Sequence, residues 1–253
     1  YTDNMKNIIA YLTFCTMIIS QNFPNLGSQD SFDFMTWNIE WFPKNGQATI
    51  NYVAEIIEDI DIDVIAMQEL NDRDLFDQMI SSLDGYAGYY DSSWFAGLAF
   101  IYNTETVQVN DIYEIYTTSP YWNAFPRSPM VMDLNFNGVN YFLINNHFKC
   151  CGDGNLDLTD DSDEEKRRYD AINLLREYID ENLSNQNVIV LGDLNDDIAE
   201  PQINNVFQLI INDPNYEFVD YHIALGSSSD WSFPNCAEQT LITKVKMIKA
   251  YFI

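Results

Sequence analysis

The sequence predicts an α/β (α+β) domain in which two packed, mostly antiparallel sheets are flanked by helices. Three observations carry this expectation. Apolar runs of strand length, such as Val188-Ile189-Val190-Leu191, have no polar face and suit strands buried on both sides. Segments that read as helices are interspersed among them. Asn137-Gly138, between two apolar stretches, marks a two-residue hairpin turn.

The elements follow in order. Strand Phe34–Ile39 leads to a helix over Thr49–Asp59, strand Val64–Gln68 and a helix over Asp72–Leu83. Strands near Tyr86–Asp91, Leu98–Tyr102 and Val107–Tyr116 come next. Met130–Phe136 and Tyr141–Asn146 form the hairpin, and an acidic loop covers Gly152–Asp163. Helix Glu164–Asn182 starts with two carboxylates, which favour the positive end of the helix dipole. Lys166-Arg167-Arg168 are expected on an exposed face of that helix rather than in a phosphate patch. Strand Val188–Leu191 and helix Pro201–Ile211 complete the series.

Four apolar strands deliver polar groups near one end. FMTWNIEWFP carries Asn38 and Glu40, and DVIAMQEL ends in Gln68-Glu69. YFLINNHFKC ends in Asn145, Asn146 and His147. NVIVLGDLND turns at Gly192 and then supplies Asp193 and Asn195. These last two leave the same side of the strand end if the extended conformation persists. Burying a polar group without a partner costs roughly 2–7 kcal/mol on apolar-transfer scales. One shared polar site at neighbouring strand ends accounts for all four segments. A carboxylate and an amide held there suit a metal-bound water or a phosphoryl oxygen. The plainer alternative is an Asp-rich loop after a core strand.

Asn38 in TWNIEWFP, Glu69 in MQEL, His147 in NNHFKC, and Asp193 with Asn195 in GDLND resemble successive motifs of one superfamily. It is the endonuclease/exonuclease/phosphatase superfamily, which includes pancreatic-type deoxyribonucleases, abasic-site endonucleases, bacterial sphingomyelinases and inositol-polyphosphate phosphatases. The resemblance runs from about Phe34 to Thr243 and speaks to the fold more than to the substrate. It implies a four-layer α/β sandwich and a metal-dependent phosphohydrolase, a phosphodiesterase or nuclease by descent. It also implies roles. Glu69 would bind Mg²⁺ or Mn²⁺ with Asn38 near it, since hard cations prefer oxygen ligands. Asp193 would orient or help deprotonate the attacking water. Asn195 and His147 would hydrogen-bond the phosphoryl oxygens, and Arg127 in FPRSP would lie near phosphate. For His147 the plainer alternative is a packed structural histidine.

The C-terminal part departs from the family pattern. A segment like Ser-His-Ile-Asp-His is replaced by Asn235-Cys236-Ala237-Glu238-Gln239, ahead of Thr240-Leu241-Ile242-Thr243. Glu238 would take the Asp place and join the metal set, or Gln239 would. The family's late Ser-Asp-His motif is missing before Ile253, and His222 lies ahead of its expected position. The expectation is therefore a domain lacking C-terminal strands, with impaired activity. The competing reading is a catalytically dead binding or surface protein that keeps the fold.

The formal net charge of -27 argues against tight, nonspecific binding to nucleic acid. It does not exclude a nuclease, because a bound divalent cation reverses the local field in an acidic cleft. The partners expected are a phosphoester substrate, with nucleic acid among the candidates, and the chain is expected to be a monomer. Its 253 residues suit one domain over 32–253 behind a short leader at 21–31. Positions 1–20 read as a signal peptide: Met5-Lys6 precede the apolar run Ile8–Ile19, with cleavage after Ser20. That run is too short for a stable membrane span and points to a secreted or extracytoplasmic protein; an N-terminal helix is the alternative. Cys150, Cys151 and Cys236 would then remain, giving one disulfide and one free thiol. They lack the paired spacing of a zinc site. The loop Asp153–Glu165 could take Ca²⁺, but it lacks the regular spacing and turn glycine of an EF-hand, which favours a solvated loop.

Overall fold

The computed structural model describes residues 23–28, 30–92 and 95–227. The expected signal peptide, Cys236, Glu238 and Gln239 lie outside the described residues.

The first sheet has the order β1-β2-β4-β3, from β1 (Phe34–Phe42), β2 (Val64–Leu70), β3 (Tyr86–Tyr89) and β4 (Gly97–Asn103). The second has the order β5-β6-β7-β8, from β5 (Val107–Glu114), β6 (Met130–Phe136), β7 (Val139–His147) and β8 (Asn187–Asp193). Most neighbours are antiparallel, but β1 pairs β2 and β7 pairs β8 in parallel. A parallel pair needs a long crossover. Helix α1 (Gln47–Ile60) supplies the first and α3 (Glu164–Asn182) the second. Helix α2 (Arg73–Ile80) follows β2, and its N-cap Asp72 accepts a hydrogen bond from the Leu75 amide. The hairpin turn is at Asn137-Gly138, both with positive φ, as the sequence anticipates.

Strand alternation sorts the core into three layers. Phe34, Val64, Leu98 and Phe100 meet Met130, Met132, Leu143, Ile189 and Leu191 between the sheets. The opposite face of the first sheet, through Met35, Ile65, Met67 and Ile101, packs on Ile50, Val53 and Ile57 of α1 and Phe76 of α2. The opposite face of the second sheet, through Val131, Ile144, Val188 and Val190, packs on Ala171, Ile172 and Leu175 of α3. The result is the four-layer α/β/β/α sandwich. Val188–Leu191 is buried on both faces, as its lack of a polar stripe requires.

Two expectations fail. Pro201–Ile211 is not one helix; only α4 (Gln208–Ile211) forms, and α5 (Tyr221–Ala224) follows it. Buried Asn205 donates its amide to the Ile198 and Glu200 carbonyls and accepts from the Phe207 amide. Those side-chain bonds give the backbone an alternative to the helix. Nor is Arg168 on an exposed helix face. It is 3% exposed, and its Nε donates to Asp196 Oδ2 at 2.6 Å. Its Nη1 donates to the carbonyls of Lys149 and Cys151, and Nη2 lies 3.2 Å from Glu165 Oε1. A charge run reads as solvated in sequence; here three of its neighbours are carboxylate or carbonyl acceptors brought from other loops.

Candidate active site

The site lies where β1, β2, β7 and β8 end together. In the first sheet Asn38 stands opposite Gln68, after which the register shifts. Glu69 is the extra residue of a bulge, with a left-handed φ of 66°. Such a bulge re-aims a side chain at a strand end, and the Glu69 carboxylate accepts from Asn38 Nδ2 at 2.9 Å. The same nitrogen donates to Asp193 Oδ2 at 2.9 Å, so one amide clamps carboxylates from both sheets.

In the second sheet His147 and Asp193 are register partners. Gly192 makes the pairing feasible: a Cβ there would overlap the Asn146 carbonyl, and its φ is 135°. The glycine thus serves close strand approach, and β8 continues through it rather than turning. The strand then ends, and the extended conformation does not persist to Asn195. Asn195 has a φ of 53°, and its amide nitrogen donates to Asp193 Oδ1 at 3.0 Å. A turn, not strand alternation, joins the two side chains. Asn195 Nδ2 also donates to the Phe148 carbonyl at 3.1 Å, next to His147.

His147 is 4% exposed, and its Nε2 lies 3.8 Å from Glu69 Oε1. Burial pushes its imidazole below the usual range; Asp193 pulls it back up, Arg127 adds to the depression, and Glu69 opposes it. The net effect favours the neutral ring. Arg127 is half-buried, with its Nε donating to the Ala96 carbonyl at 3.1 Å. Burial lowers its guanidinium from the usual value, while Glu69 and Asp193 act in the opposite sense, which places it within electrostatic reach of both. Among the described residues no carboxylate lies within ion-pair distance of Arg127.

The structure thus gathers Asn38, Glu69, His147, Asp193, Asn195 and Arg127, and leaves Glu238 outside the described residues. It removes others from the polar set. Glu40 is exposed and pairs with Lys44 at 2.6 Å. Gln68 and Asn145 tie the sheets together: Gln68 Nε2 donates to Asn145 Oδ1 at 2.8 Å, and Asn145 Nδ2 donates to the Met67 and Ala99 carbonyls. Cys150 and Cys151 are exposed free thiols with their sulfurs 2.9 Å apart. The residues fit a hard divalent cation. Glu69 Oε2 is buried with no hydrogen-bond partner, and Glu69 and Asp193 offer oxygen donors. Asn38 turns its amide nitrogen, not its oxygen, toward both carboxylates; its Oδ1 accepts from the Glu40 amide.

A sequence profile of the Endonuclease/Exonuclease/phosphatase family matches residues 35–225. The chain belongs to this family. Its members are phosphodiesterases, nucleases and phosphatases that generally depend on divalent metals. No curated protein matches the chain in sequence. Among solved structures of the family fold, the human Nocturnin catalytic domain with bound sulfate is similar at 17% identity. That alignment covers 80% of this chain and 76% of that one, with a TM-score of 0.58. TDP2 of D. rerio, complexed with a single-strand DNA product, aligns at 14% identity over 74% of this chain and 73% of its own, TM-score 0.53. A humanized form of it is aligned over 66% of its own length. The Bacteroides thetaiotaomicron mannosyl-6-phosphatase Bt3783 aligns at 19% identity over 70% of each chain, TM-score 0.53. At these identities the likeness concerns the fold. Among the described residues of this family member, no helix is long and apolar enough to cross a membrane.

Proposed function

We propose that this family member is an exported hydrolase of phosphoesters, using Mg²⁺ or Mn²⁺ and acting on small or single-site substrates. The observation that carries the reading is the Asn38 amide at 2.9 Å from both Glu69 and Asp193, which concentrates two oxygen donors across the sheet junction. Glu69, with Asn38 beside it, would hold the metal. Bound there, the metal supplies charge neutralisation at a phosphoryl oxygen. Asp193 orients the attacking water and draws on its proton. Asn195 and neutral His147 donate hydrogen bonds to the phosphoryl oxygens as charge develops. Arg127 offers its planar guanidinium to the same anion. Export is supported by the apolar run Ile8–Ile19 after Met5-Lys6.

Purified protein in Mg²⁺ or Mn²⁺ is to be assayed on bis-p-nitrophenyl phosphate, DNA, RNA and sphingomyelin. Hydrolysis of at least one, abolished by Asp193→Ala, is expected. A folded protein that turns over none of them removes the enzymatic reading and leaves a binding module. The similarity to both a DNA-product complex and a sugar-phosphate phosphatase leaves the preferred ester to this assay.

A further inference from the structure

We propose that Asp153, Asp163 and Glu165 form a second cation site, for Ca²⁺, which fastens the loop that follows His147. The three carboxylates each offer an oxygen, and these atoms lie within 4.8 Å of one another. Acidic groups gather on surfaces for many reasons, but Glu165 is not on the surface. It is 2% exposed, and its Oε2 is buried with no hydrogen-bond partner. A buried, unsatisfied carboxylate oxygen keeps its desolvation penalty unless a cation meets it.

The protein's own cations do not balance this cluster. Arg168 lies 3.2 Å from Glu165 Oε1 but is shared with Asp196 at 2.6 Å. Lys166 is engaged by Asp161 and Asp170, and Lys149 by Glu164. Asp153 and Asp163 therefore add negative charge beside an anion that shares its one cationic partner among the described residues with Asp196.

The surroundings are built around the Glu165 carboxylate. Gly154 donates its amide to Glu165 Oε1 at 2.8 Å. Gly152, with a φ of 111°, packs so closely that a Cβ there would collide with the carboxylate. Oxygen ligands from an irregular loop suit Ca²⁺, which accepts six to eight oxygens at about 2.3–2.6 Å in flexible geometry. Mg²⁺ demands a near-ideal octahedron and keeps its water.

Occupancy reaches the active-site rim through Arg168. Its Nη1 donates to the Lys149 and Cys151 carbonyls, in the segment just after His147 and Phe148. The ion is structural: it takes no part in the chemistry and stiffens the loop beside it.

The full chain carrying Glu69→Gln removes the main ligand of the candidate active site, so the two metal sites are read separately. Titrated with Ca²⁺ alone in calorimetry, it is expected to bind one ion and to melt several degrees higher. Adding the surface change Asp153→Asn is expected to weaken binding at least tenfold and abolish the thermal gain. Glu165→Gln should do the same; if it fails to fold, Asp153→Asn still decides. No Ca²⁺ binding in the Glu69→Gln protein, or equal binding after Asp153→Asn, overturns the site. An equal thermal gain from the same concentration of Mg²⁺ overturns the assignment to calcium.

Discussion

His147 and Asp193 face each other as register partners in the parallel pairing of β7 with β8. That register depends on Gly192, where an added Cβ would overlap the Asn146 carbonyl. Gly192→Ala should lose on the order of 1–3 kcal/mol from backbone strain alone, with more from the clash. Urea unfolding measures the loss, and any surviving folded protein should have greatly reduced turnover. A variant as stable and active as the parent would mean that the strands have room to part.

Glu69→Gln keeps the shape of the side chain and removes its charge. Mg²⁺ affinity, read by calorimetry, should fall at least tenfold. Metal-free thermal stability should stay level or rise, since Glu69 and Asp193 are held near each other by Asn38. Unchanged Mg²⁺ affinity would move the metal elsewhere.

Arg168 and Lys166 sit on the same helix in opposite situations. Removing one partner of a buried ion pair typically costs about 3–5 kcal/mol, so Arg168→Ala, which strands Glu165 and Asp196, should approach that loss. Lys166 is partly buried, but its partners Asp161 and Asp170 reach solvent, and solvent-screened pairs contribute roughly 0–1 kcal/mol. Chemical denaturation of the two variants should separate them clearly; similar losses would contradict the buried triad.

Much of this was legible in the sequence because it lies on regular strands. Val188–Leu191 carries its double burial in its composition, and the four strand ends carry the site. Glu69 and Asn195 were identifiable by type but not by geometry, because a bulge and a left-handed turn, not strand alternation, aim them. Arg168 was misread because its acceptors come from loops distant in sequence, which periodicity does not register. Asn205 was missed for the same reason in reverse: a buried amide that rewires its own loop looks like any polar residue inside an apolar segment.

Glu200 makes stability depend on pH. Burial first, then Asp196 and Asp197, push its carboxyl up to about 7 from an ordinary 4.5. Below the ordinary value both states are protonated and nothing is lost. As pH rises toward 7 the unfolded chain releases its proton first, and stability falls. Glu200→Gln should therefore gain little at pH 5 and more at pH 8 in metal-free thermal melts. Equal gains at both would exclude the titration as the cause.

Among the described residues, few cations are free to grip a polyanion. Lys44 is paired with Glu40, Arg73 with Asp77 and Asp91, and Lys149 with Glu164. Each phosphate neutralised adds about 0.9 to the slope of log affinity against log salt on duplex DNA. With the Asp193→Ala protein and fixed Mg²⁺, the slope should be no more than about 2–3 in magnitude. A steep slope with nanomolar binding at low salt would reveal a basic groove and put duplex DNA first among substrates.

Each sheet is drawn from one uninterrupted stretch of chain, residues 34–103 for the first and 107–193 for the second. The exposed turn Thr104-Glu105-Thr106 is the seam. Asn38 and Glu69 lie on one side of it; Arg127, His147, Asp193 and Asn195 lie on the other. A single protease nick at Glu105 would divide the molecule into two fragments, each with part of the candidate site and one bare apolar sheet face. The chain is in this sense a natural split reporter: catalysis would signal reassembly of the fragments, and dilution would silence it.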